Sequence, residues 1–268
     1  MSKRITTTTH SDLTIIYYTS NYLEDHNPYF LENTKKYLKE SIGETALISV
    51  SHKPLSGMGE NICVGEIGRS NKNIYWQILQ GAKAAKTRYV ATAEDDVLYT
   101  PSHYQCRPSK ENILFYNMNK WSIFTWSKPM VFSWRHRKII LGLICSRDLL
   151  IDCLEERFKK WPDYDTQFCG EPGRYENKLG ITPRESEEGW SDRPLVVFSH
   201  EHALGYISTP EGRDRPVGKR KALGPLRGTE LVPWGNPHDI MKLWDANYTY
   251  LKCSSCGHEI QESKLNAG

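Results

Sequence analysis

The sequence has no long hydrophobic run. No stretch approaches the ~20 consecutive apolar residues that a membrane-spanning helix needs. Polar residues occur throughout the first dozen positions, whereas a secretory signal carries an apolar core in that region. We therefore expect no membrane span and a cytoplasmic location.

Charge of one sign is not in excess either, since 35 Lys and Arg stand against 32 Asp and Glu. A formal net charge of +3 does not identify a nucleic-acid partner, but it leaves room for a local basic patch. Hydrophobic residues make up 38% of the 268 positions, which excludes a disordered chain and allows one large α/β domain.

Cysteines are few and scattered, and only one pair among the seven has metal-ligand spacing. Cys253, Cys256 and His258 form a CxxCGH segment that is typical of half a zinc knuckle. We expect a C-terminal tail over 251–268 that binds a structural Zn²⁺ with ligands from elsewhere in the chain or from another chain. The alternative is a tail of free thiols in a reducing compartment.

Strand and helix patterns alternate along the first hundred residues. The hydrophobic spacing predicts, in order, a strand over 13–18, a helix over 28–41, a strand over 45–50, a short extended piece around 62–64, a helix over 71–85 and a strand over 89–93. Such alternation predicts a parallel sheet. Polar residues follow three of these strands, at 19–21, 51–52 and 94–96, and ligands bind outside the carboxyl ends of strands in such sheets. We expect the three polar segments to converge on one site.

The segment Glu94-Asp95-Asp96 carries the strongest chemical signal. Adjacent carboxylates at the end of a buried strand raise one another's pKa unless a cation neutralises them. Mg²⁺ and Mn²⁺ bind through one or two carboxylates together with substrate phosphates. The segment therefore indicates a divalent metal site, with a solvated acidic turn as the alternative.

The second half of the chain has a different pattern. Short strands over 113–117, 121–124, 130–132 and 139–141 indicate antiparallel hairpins attached to the parallel sheet. A helix over 147–160, a polar stretch over 161–193 and a strand over 195–198 follow. The loop over 207–230 is basic, with these cations: Arg213, Arg215, Lys219, Arg220, Lys221 and Arg227. Loops of this length are typical of binding loops or lids.

Three segments in this order, LTIIYYTSN, TALISVSHKP and GRSNKNIYWQILQGAKAAKTRYVATAEDDVLYTPSHY, resemble the nucleotide-sugar half of GT-A glycosyltransferases of the family-2 type. The resemblance covers roughly the first 105 residues, and looser features beyond them are similar to phage and bacterial members. It implies an α/β, Rossmann-like GT-A fold with a mostly parallel sheet and an antiparallel acceptor-side extension. One domain would span 1–250, with a donor half over 12–105 and an acceptor half over 106–250. A phage-encoded protein would act in the host cytoplasm.

The resemblance also implies a set of site residues. Contacts to a nucleotide-sugar, a UDP-sugar, would come from Thr19, Ser20, Asn21, Ser51, His52, Asn71, Lys72, Glu94 and Asp95. His52 stands where the family has an aspartate. Mn²⁺ or Mg²⁺ would be held by Asp96 and Glu94, with a late histidine completing the shell, His200 first and His202 second. Alternatively, these histidines only end the strand over 195–198.

An inverting enzyme of this kind needs a carboxylate base beside the acceptor hydroxyl. The candidates are Glu171, Asp165, Asp148 and Glu176. Glu171 ranks first because the Pro172-Gly173 turn directly after it would hold it rigidly. Inversion and retention both stay open.

Several acceptors are compatible with the sequence. The basic loop, the aromatic segment 121–134 and the basic run 135–138 suit DNA, because cations bind phosphates and aromatic rings stack on bases. Phage enzymes that glycosylate 5-hydroxymethylpyrimidines in DNA are the precedent that the resemblance supplies. A saccharide or lipid-linked acceptor is the alternative, and a non-catalytic nucleotide or nucleic-acid binding module is a reading of another class. A nucleotidyltransferase is disfavoured, since TSNYLEDHNP contains no glycine-rich phosphate loop.

Overall fold

The computed structural model describes residues 10–127, 130–163, 170–200, 203, 224–252 and 259–260. The strands are β1 (Leu13–Thr19), β2 (Ala46–Ser51), β3 (Glu60–Cys63), β4 (Tyr89–Ala93), β5 (Val97–Leu98), β6 (Ile113–Asn117), β7 (Lys120–Phe124), β8 (Phe132–Trp134), β9 (Leu143–Ser146), β10 (Glu185–Gly189), β11 (Leu195–Ser199), β12 (Leu226–Gly228), β13 (Leu251–Lys252) and β14 (Glu259–Ile260). The helices are α1 (Tyr22–His26), α2 (Pro28–Ile42), α3 (Asn71–Ala84), α4 (Pro101–Tyr104), α5 (Arg147–Lys160), α6 (Glu176–Leu179) and α7 (Pro237–Trp244).

The larger sheet has the strand order β10-β6-β9-β4-β1-β2-β3. Strands β4, β1, β2 and β3 pair with one another in parallel, and β9 lies antiparallel between β4 and β6. The predicted fold class is confirmed, because the chain forms a mainly parallel, Rossmann-like sheet with antiparallel elements on the side of the second half. No described helix combines the length and apolar character that a membrane span requires.

Strand β1 shows why the centre of this sheet is buried on both faces. All seven of its residues are buried, and alternate side chains point to opposite faces of the sheet. Ile16 and Tyr18 pack with α3 and α5, whereas Ile15 and Tyr17 pack with α2 on the other face. The apolar run therefore requires a helical layer on each side.

The smaller sheet has the order β12-β8-β7-β11-β5. Its strand β11 pairs parallel with β7 and antiparallel with β5, which directly follows the acidic segment. A third apolar cluster joins this sheet to α2 and α7, with Phe30, Phe198 and Ile240 among its members. The smaller sheet thus brings the end of β11 next to the end of β4.

Two predictions about the second half are wrong. Residues 139–141 were expected as a strand, but Ile140–Gly142 form a 3₁₀ turn and the strand is β9, over Leu143–Ser146. Strand β10 lies in the stretch 161–193 that was predicted as a loop. Its sequence, ESEEG, has no apolar alternation, because β10 is held at the edge of the sheet by backbone pairing with β6.

Several residues predicted to be functional fall on parts of the chain that are not described. Cys253, Cys256 and His258 lie outside the described residues, as do Asp165 and His202. Of the basic loop over 207–230, the structure describes residues 224–230, and Arg227 in β12 is the one predicted cation among them. The zinc site and the role of the basic loop therefore stay predictions.

Candidate functional site

A cavity with an empty volume of about 660 Å³ opens at the carboxyl ends of β1, β2 and β4. Its lining includes residues from all three predicted polar segments: Thr19, Ser20, His52, Glu94, Asp95 and Asp96. His200, directly after β11, and the first turns of α3 complete the wall. The structure thus brings the three strand ends together, in the position that the parallel sheet predicts.

The three adjacent carboxylates have different partners. The Tyr18 hydroxyl donates a hydrogen bond to Glu94, and Thr19 Oγ1 donates one to Asp95 Oδ2 at 2.6 Å. Asp96 Oδ1 is buried and has no hydrogen-bond partner within the described parts of the chain. Asp96 Oδ2 lies 3.6 Å from His200 Nε2. Asp96 therefore has a buried oxygen that is left to bind a ligand.

Burial and mutual repulsion act on this acidic group. Burial first, and the charge of Asp96 second, raise the pKa of Glu94 well above its ordinary range. The same two causes raise the pKa of Asp95 to about 6. Carboxylates in this position are stabilised as anions by a nearby cation, which reverses the direction of such shifts.

His200 is positioned by both sheets. The Phe198 amide of β11 donates to the Asp96 carbonyl at 2.9 Å, so the end of β11 is hydrogen-bonded to the acidic segment. The His200 ring is 3% exposed and packs against Trp244 of α7, with the ring centroids 4.8 Å apart. This packing holds its Nε2 beside Asp96.

The Asp96–His200 pair fits a divalent ion that is bound together with a phosphate ligand. No group of three or more His, Cys, Asp or Glu side chains within the described ranges forms a complete metal cluster. Mg²⁺ and Mn²⁺ sites in phosphate-using enzymes need few protein ligands, because phosphate oxygens and water supply the rest. The unpartnered Asp96 oxygen and the adjacent imidazole match that donor set.

Arg69 is a cavity residue that the sequence analysis missed. Its guanidinium carbon lies 3.9 Å from the centroid of the Tyr22 ring, and both residues line the cavity. Ser70 caps α3 by accepting a hydrogen bond from the Asn73 amide, so the amino end of the helix also faces the cavity. A cation and a helix amino terminus together favour an anionic ligand. The sequence feature that could have identified Arg69 is its position directly before Ser70, the residue that caps α3.

Asn71 and Lys72 were predicted as donor contacts, but they do not line the cavity. The Lys72 ammonium donates instead to the Pro162 carbonyl. Successive residues of a helix are rotated by ~100°, so the positions just after the cap turn away from the ligand side. The cavity contacts come from Arg69 and Asn73 instead.

Asn21 and Ser51 shape the cavity without lining it. Asn21 is buried at a positive φ of 58°, and its side-chain oxygen accepts a hydrogen bond from the Lys53 amide at 3.0 Å. Ser51 Oγ donates to the Lys53 carbonyl at 2.7 Å. Both side chains tie together the segments that follow β1 and β2, which differs from the predicted contact with base or ribose.

His52 lines the cavity and has an unused ring nitrogen. Its Nδ1 lies 3.6 Å from Glu66 Oε2, and its buried Nε2 has no hydrogen-bond partner in the described structure. Burial lowers the pKa of His52, which favours the neutral ring at neutral pH. A neutral imidazole with one unused nitrogen is suited to a hydrogen bond with a polar ligand.

Two of the predicted bases do not fit their role. β9 runs antiparallel to β4 and pairs Ser146 with Tyr89, so Asp148 follows the amino-terminal end of β4. Glu94 lies past the opposite end, about 16 Å along the strand at the usual rise per residue. Glu176 is buried, lies 3.9 Å from Arg157 and accepts a hydrogen bond from the Gly173 amide. These positions are inconsistent with a base in the cavity.

Glu171 lies at the side of the site. It is buried, with its carboxylate 3.3 Å from Arg174 and 3.9 Å from Arg137. It is absent from the cavity wall, but its charge contributes to the raised pKa of Glu94. Among the candidate bases that the structure describes, Glu171 is the one whose charge acts on the acidic segment.

Solved structures that are similar to this chain are distant from it in sequence, as two of them illustrate. No protein-family model matches the sequence, and no curated protein does. The chain is similar, at 14% identity and a TM-score of 0.41, to a protein of Aquifex aeolicus VF5, over 66% of this chain and 86% of that one. It is also similar, at 14% identity and a TM-score of 0.40, to a glycosyltransferase involved in the glycosylation of the major capsid of PBCV-1, over 69% and 92% of the two chains.

Proposed function

We propose that the protein is a metal-dependent glycosyltransferase that moves a sugar from a nucleotide-sugar, a UDP-sugar, to an acceptor hydroxyl. The observation that carries the proposal is the Asp96–His200 pair at the carboxyl ends of a parallel sheet. Asp96 has a buried, unpartnered oxygen there, and Arg69 and the amino end of α3 share the same cavity. This arrangement supports binding of a diphosphate together with Mn²⁺ or Mg²⁺.

Different residues of the cavity bind different parts of the donor in this proposal. Asp96 and His200 hold the ion, Arg69 and α3 bind the diphosphate, and His52 contacts the nucleoside through its free nitrogen. When bound, the ion stabilises the negative charge that develops on the departing diphosphate. Glu94 and Asp95, held by Tyr18 and Thr19, keep the acidic segment in place and add negative charge around the ion.

Glu171 is the proposed base. Its ion pairs with Arg137 and Arg174 fix the orientation of the carboxylate, and its charge acts on Glu94 of the cavity wall. A base must come within hydrogen-bond reach of the acceptor hydroxyl, and bound substrates commonly tighten such contacts. Glu171→Gln should therefore abolish transfer while leaving donor binding intact.

The acceptor proposed is a 5-hydroxymethylpyrimidine base in DNA. The supporting observation is an exposed Trp190 stacked on Trp134 near Arg137 and Lys138, since stacking surfaces and cations suit a nucleic acid. A saccharide or lipid-linked acceptor uses the same fold, and aromatic side chains also stack on sugar rings. A binding module without turnover would retain donor binding and transfer no label.

A transfer assay tests the proposal. The protein is incubated with labelled UDP-glucose and Mn²⁺, and with hydroxymethylated DNA, unmodified DNA or an oligosaccharide mixture, and label in each product is counted. We expect label in hydroxymethylated DNA alone, and none with Glu171→Gln. Asp148→Asn is the matched control, because Asp148 is exposed and lies at the other end of the sheet. Label in the saccharide fraction alone would reassign the acceptor, and no label from any donor sugar would contradict glycosyl transfer.

A further inference from the structure

A second group of charged side chains lies at the same edge of the sheet as the donor cavity. We call it the cationic cluster: Lys120, Arg137, Lys138 and Arg174. β6 runs in the same direction as β4, because both are antiparallel to β9. Lys120 begins β7 three residues after the end of β6, and it therefore lies at the edge where Glu94 follows β4. None of the four residues lines the donor cavity. The cluster is therefore a neighbour of the donor site and not a part of it.

Lys120 is the least expected member. The residue is 4% exposed, and the nearest polar contact of its ammonium in the described chain is the Met118 thioether, at 3.8 Å. Burial lowers the pKa of Lys120 to about 8. A buried ammonium without a carboxylate or a set of oxygen acceptors is strongly unfavourable. A packing role does not account for it, because an apolar side chain of the same length would fill that space.

The carboxylates around Lys120 are already paired with other cations. Glu171 contacts Arg137 and Arg174, and Glu188 lies 3.8 Å from the Lys138 ammonium. The charges of Glu188, Arg137, Glu171 and Arg174 all act on Lys120, so four cations stand against two carboxylates in this part of the molecule. The side chains of Arg137 and Arg174 are 54% and 33% exposed, so the excess positive charge reaches the surface, where an anion from outside the chain can bind.

An aromatic surface adjoins the cationic cluster. The rings of Trp134 and Trp190 are stacked with their centroids 5.6 Å apart and an angle of 24° between the planes. Trp190 is 59% exposed. His136 joins the two features, since its ring lies against Trp134 and its Nε2 is 2.7 Å from Glu188. A planar ring can continue the stack on Trp190 while an attached anion reaches the cluster.

We propose that this surface is the acceptor subsite for one nucleotide unit of DNA, with a backbone phosphate on the cationic cluster and a base stacked on Trp190. The inference rests on the proposed function, because it names the acceptor side of the same reaction. A stack of two indoles that ends in solvent suits a planar base, and the excess cations suit a phosphodiester. A neutral sugar would use the rings and leave Lys120 without a partner.

The test measures binding without catalysis. Fluorescence anisotropy of a labelled, short oligothymidylate gives its affinity at several salt concentrations, and calorimetry gives the affinity for UDP with Mn²⁺. The variants are Lys120→Met, Arg174→Met and Trp190→Ala, each checked by thermal unfolding. Lys36→Met is the matched control, because Lys36 is exposed on α2.

Lys120→Met and Trp190→Ala should each weaken oligothymidylate binding by about tenfold, and the lysine variant should flatten the logarithmic salt dependence by roughly one unit. UDP binding should change by less than about twofold, as for the control. Oligothymidylate binding that all three variants retain would overturn the inference, and so would a wild type that binds UDP but no oligonucleotide. Tighter, Lys120-dependent binding of an anionic oligosaccharide would overturn the nucleotide assignment. Loss of UDP binding alone would contradict the proposed function and not the subsite.

Discussion

At the scale of single residues, the site is built from groups that are unfavourable in isolation. Glu94, Asp95 and Asp96 repel one another at a buried strand end, and Lys120 is buried without a carboxylate partner. Such arrangements lower stability, and they are common where a ligand completes the charge balance. Each can be tested by removing the charge and measuring the stability of the protein without ligands.

Asp95→Asn should stabilise the metal-free protein at neutral pH. The pKa of Asp95 is raised from 3.8 to about 6, so the folded state holds a proton that the unfolded state releases between these values. Asp95 therefore does not lower the stability of the wild type at low pH, where it is protonated. Stability is lost as the pH rises through about 6 and the buried carboxyl group ionises. We expect the variant to gain ~1–3 kcal/mol in unfolding free energy at pH ~7.5 and nothing at pH ~4, measured by denaturation with a chelator present. An equal effect at both pH values would contradict this account.

Lys120→Met should also raise stability at neutral pH. The pKa of Lys120 is lowered from 10.5 to about 8, so the unfolded state binds the extra proton between these values. The loss of stability caused by the buried charge of Lys120 is complete below pH ~8. It disappears as the pH rises towards the pKa that the lysine has in the unfolded chain. We expect a gain of ~1–3 kcal/mol at pH ~7 in denaturant unfolding, and less at pH ~9.5. A destabilised variant would show that Lys120 has a structural role.

At the scale of elements, hydrophobic periodicity was sufficient for the buried parallel strands and for the long helices. β4 (Tyr89–Ala93), β6 (Ile113–Asn117) and α5 (Arg147–Lys160) begin and end where the pattern predicts. β10 was missed because its residues are polar and its pairing partner, β6, lies about seventy positions earlier in the chain. The local hydrophobic pattern of a sequence indicates which side chains are buried. An edge strand that is held by backbone hydrogen bonds has no such pattern.

Gln77 of α3 hydrogen-bonds the helix to the carboxyl ends of β1 and β2. Its side-chain amide donates to the Thr19 carbonyl at 2.8 Å and to the Val50 carbonyl at 3.0 Å, and the residue is 2% exposed. Gln77→Leu would leave two carbonyls unpaired and should lower stability by ~2 kcal/mol. It should also weaken UDP binding, because both strand ends shape the cavity. Gln80→Leu, on the partly exposed side of α3, is the control in denaturant unfolding and calorimetry. Equal losses in the two variants would contradict the assignment.

At the scale of the whole molecule, the candidate site depends on contact between the two sheets. Asp96 follows a strand of the larger sheet, whereas His200 follows β11 of the smaller one. The sequence placed both residues at strand ends, but it contained no information on the pairing of β11 with β5, which sets their 3.6 Å separation. For the same reason Arg69, Lys120 and Arg174 were not predicted as site residues, whereas Arg137 and Lys138 of the cationic cluster belong to the predicted basic run 135–138. Their significance depends on which distant segments fold next to them.

The central claim is that Asp96 couples a divalent ion to nucleotide-sugar binding. Titration calorimetry of UDP-glucose with Mn²⁺ or with chelator tests it directly, on the wild type, Asp96→Ala and the exposed control Asp148→Ala. We expect Mn²⁺-dependent binding by the wild type and the control, and a loss of at least about a hundredfold in a folded Asp96→Ala protein, a scale consistent with removal of a metal ligand. Unchanged affinity in folded Asp96→Ala, or equal wild-type affinity with chelator, would contradict it.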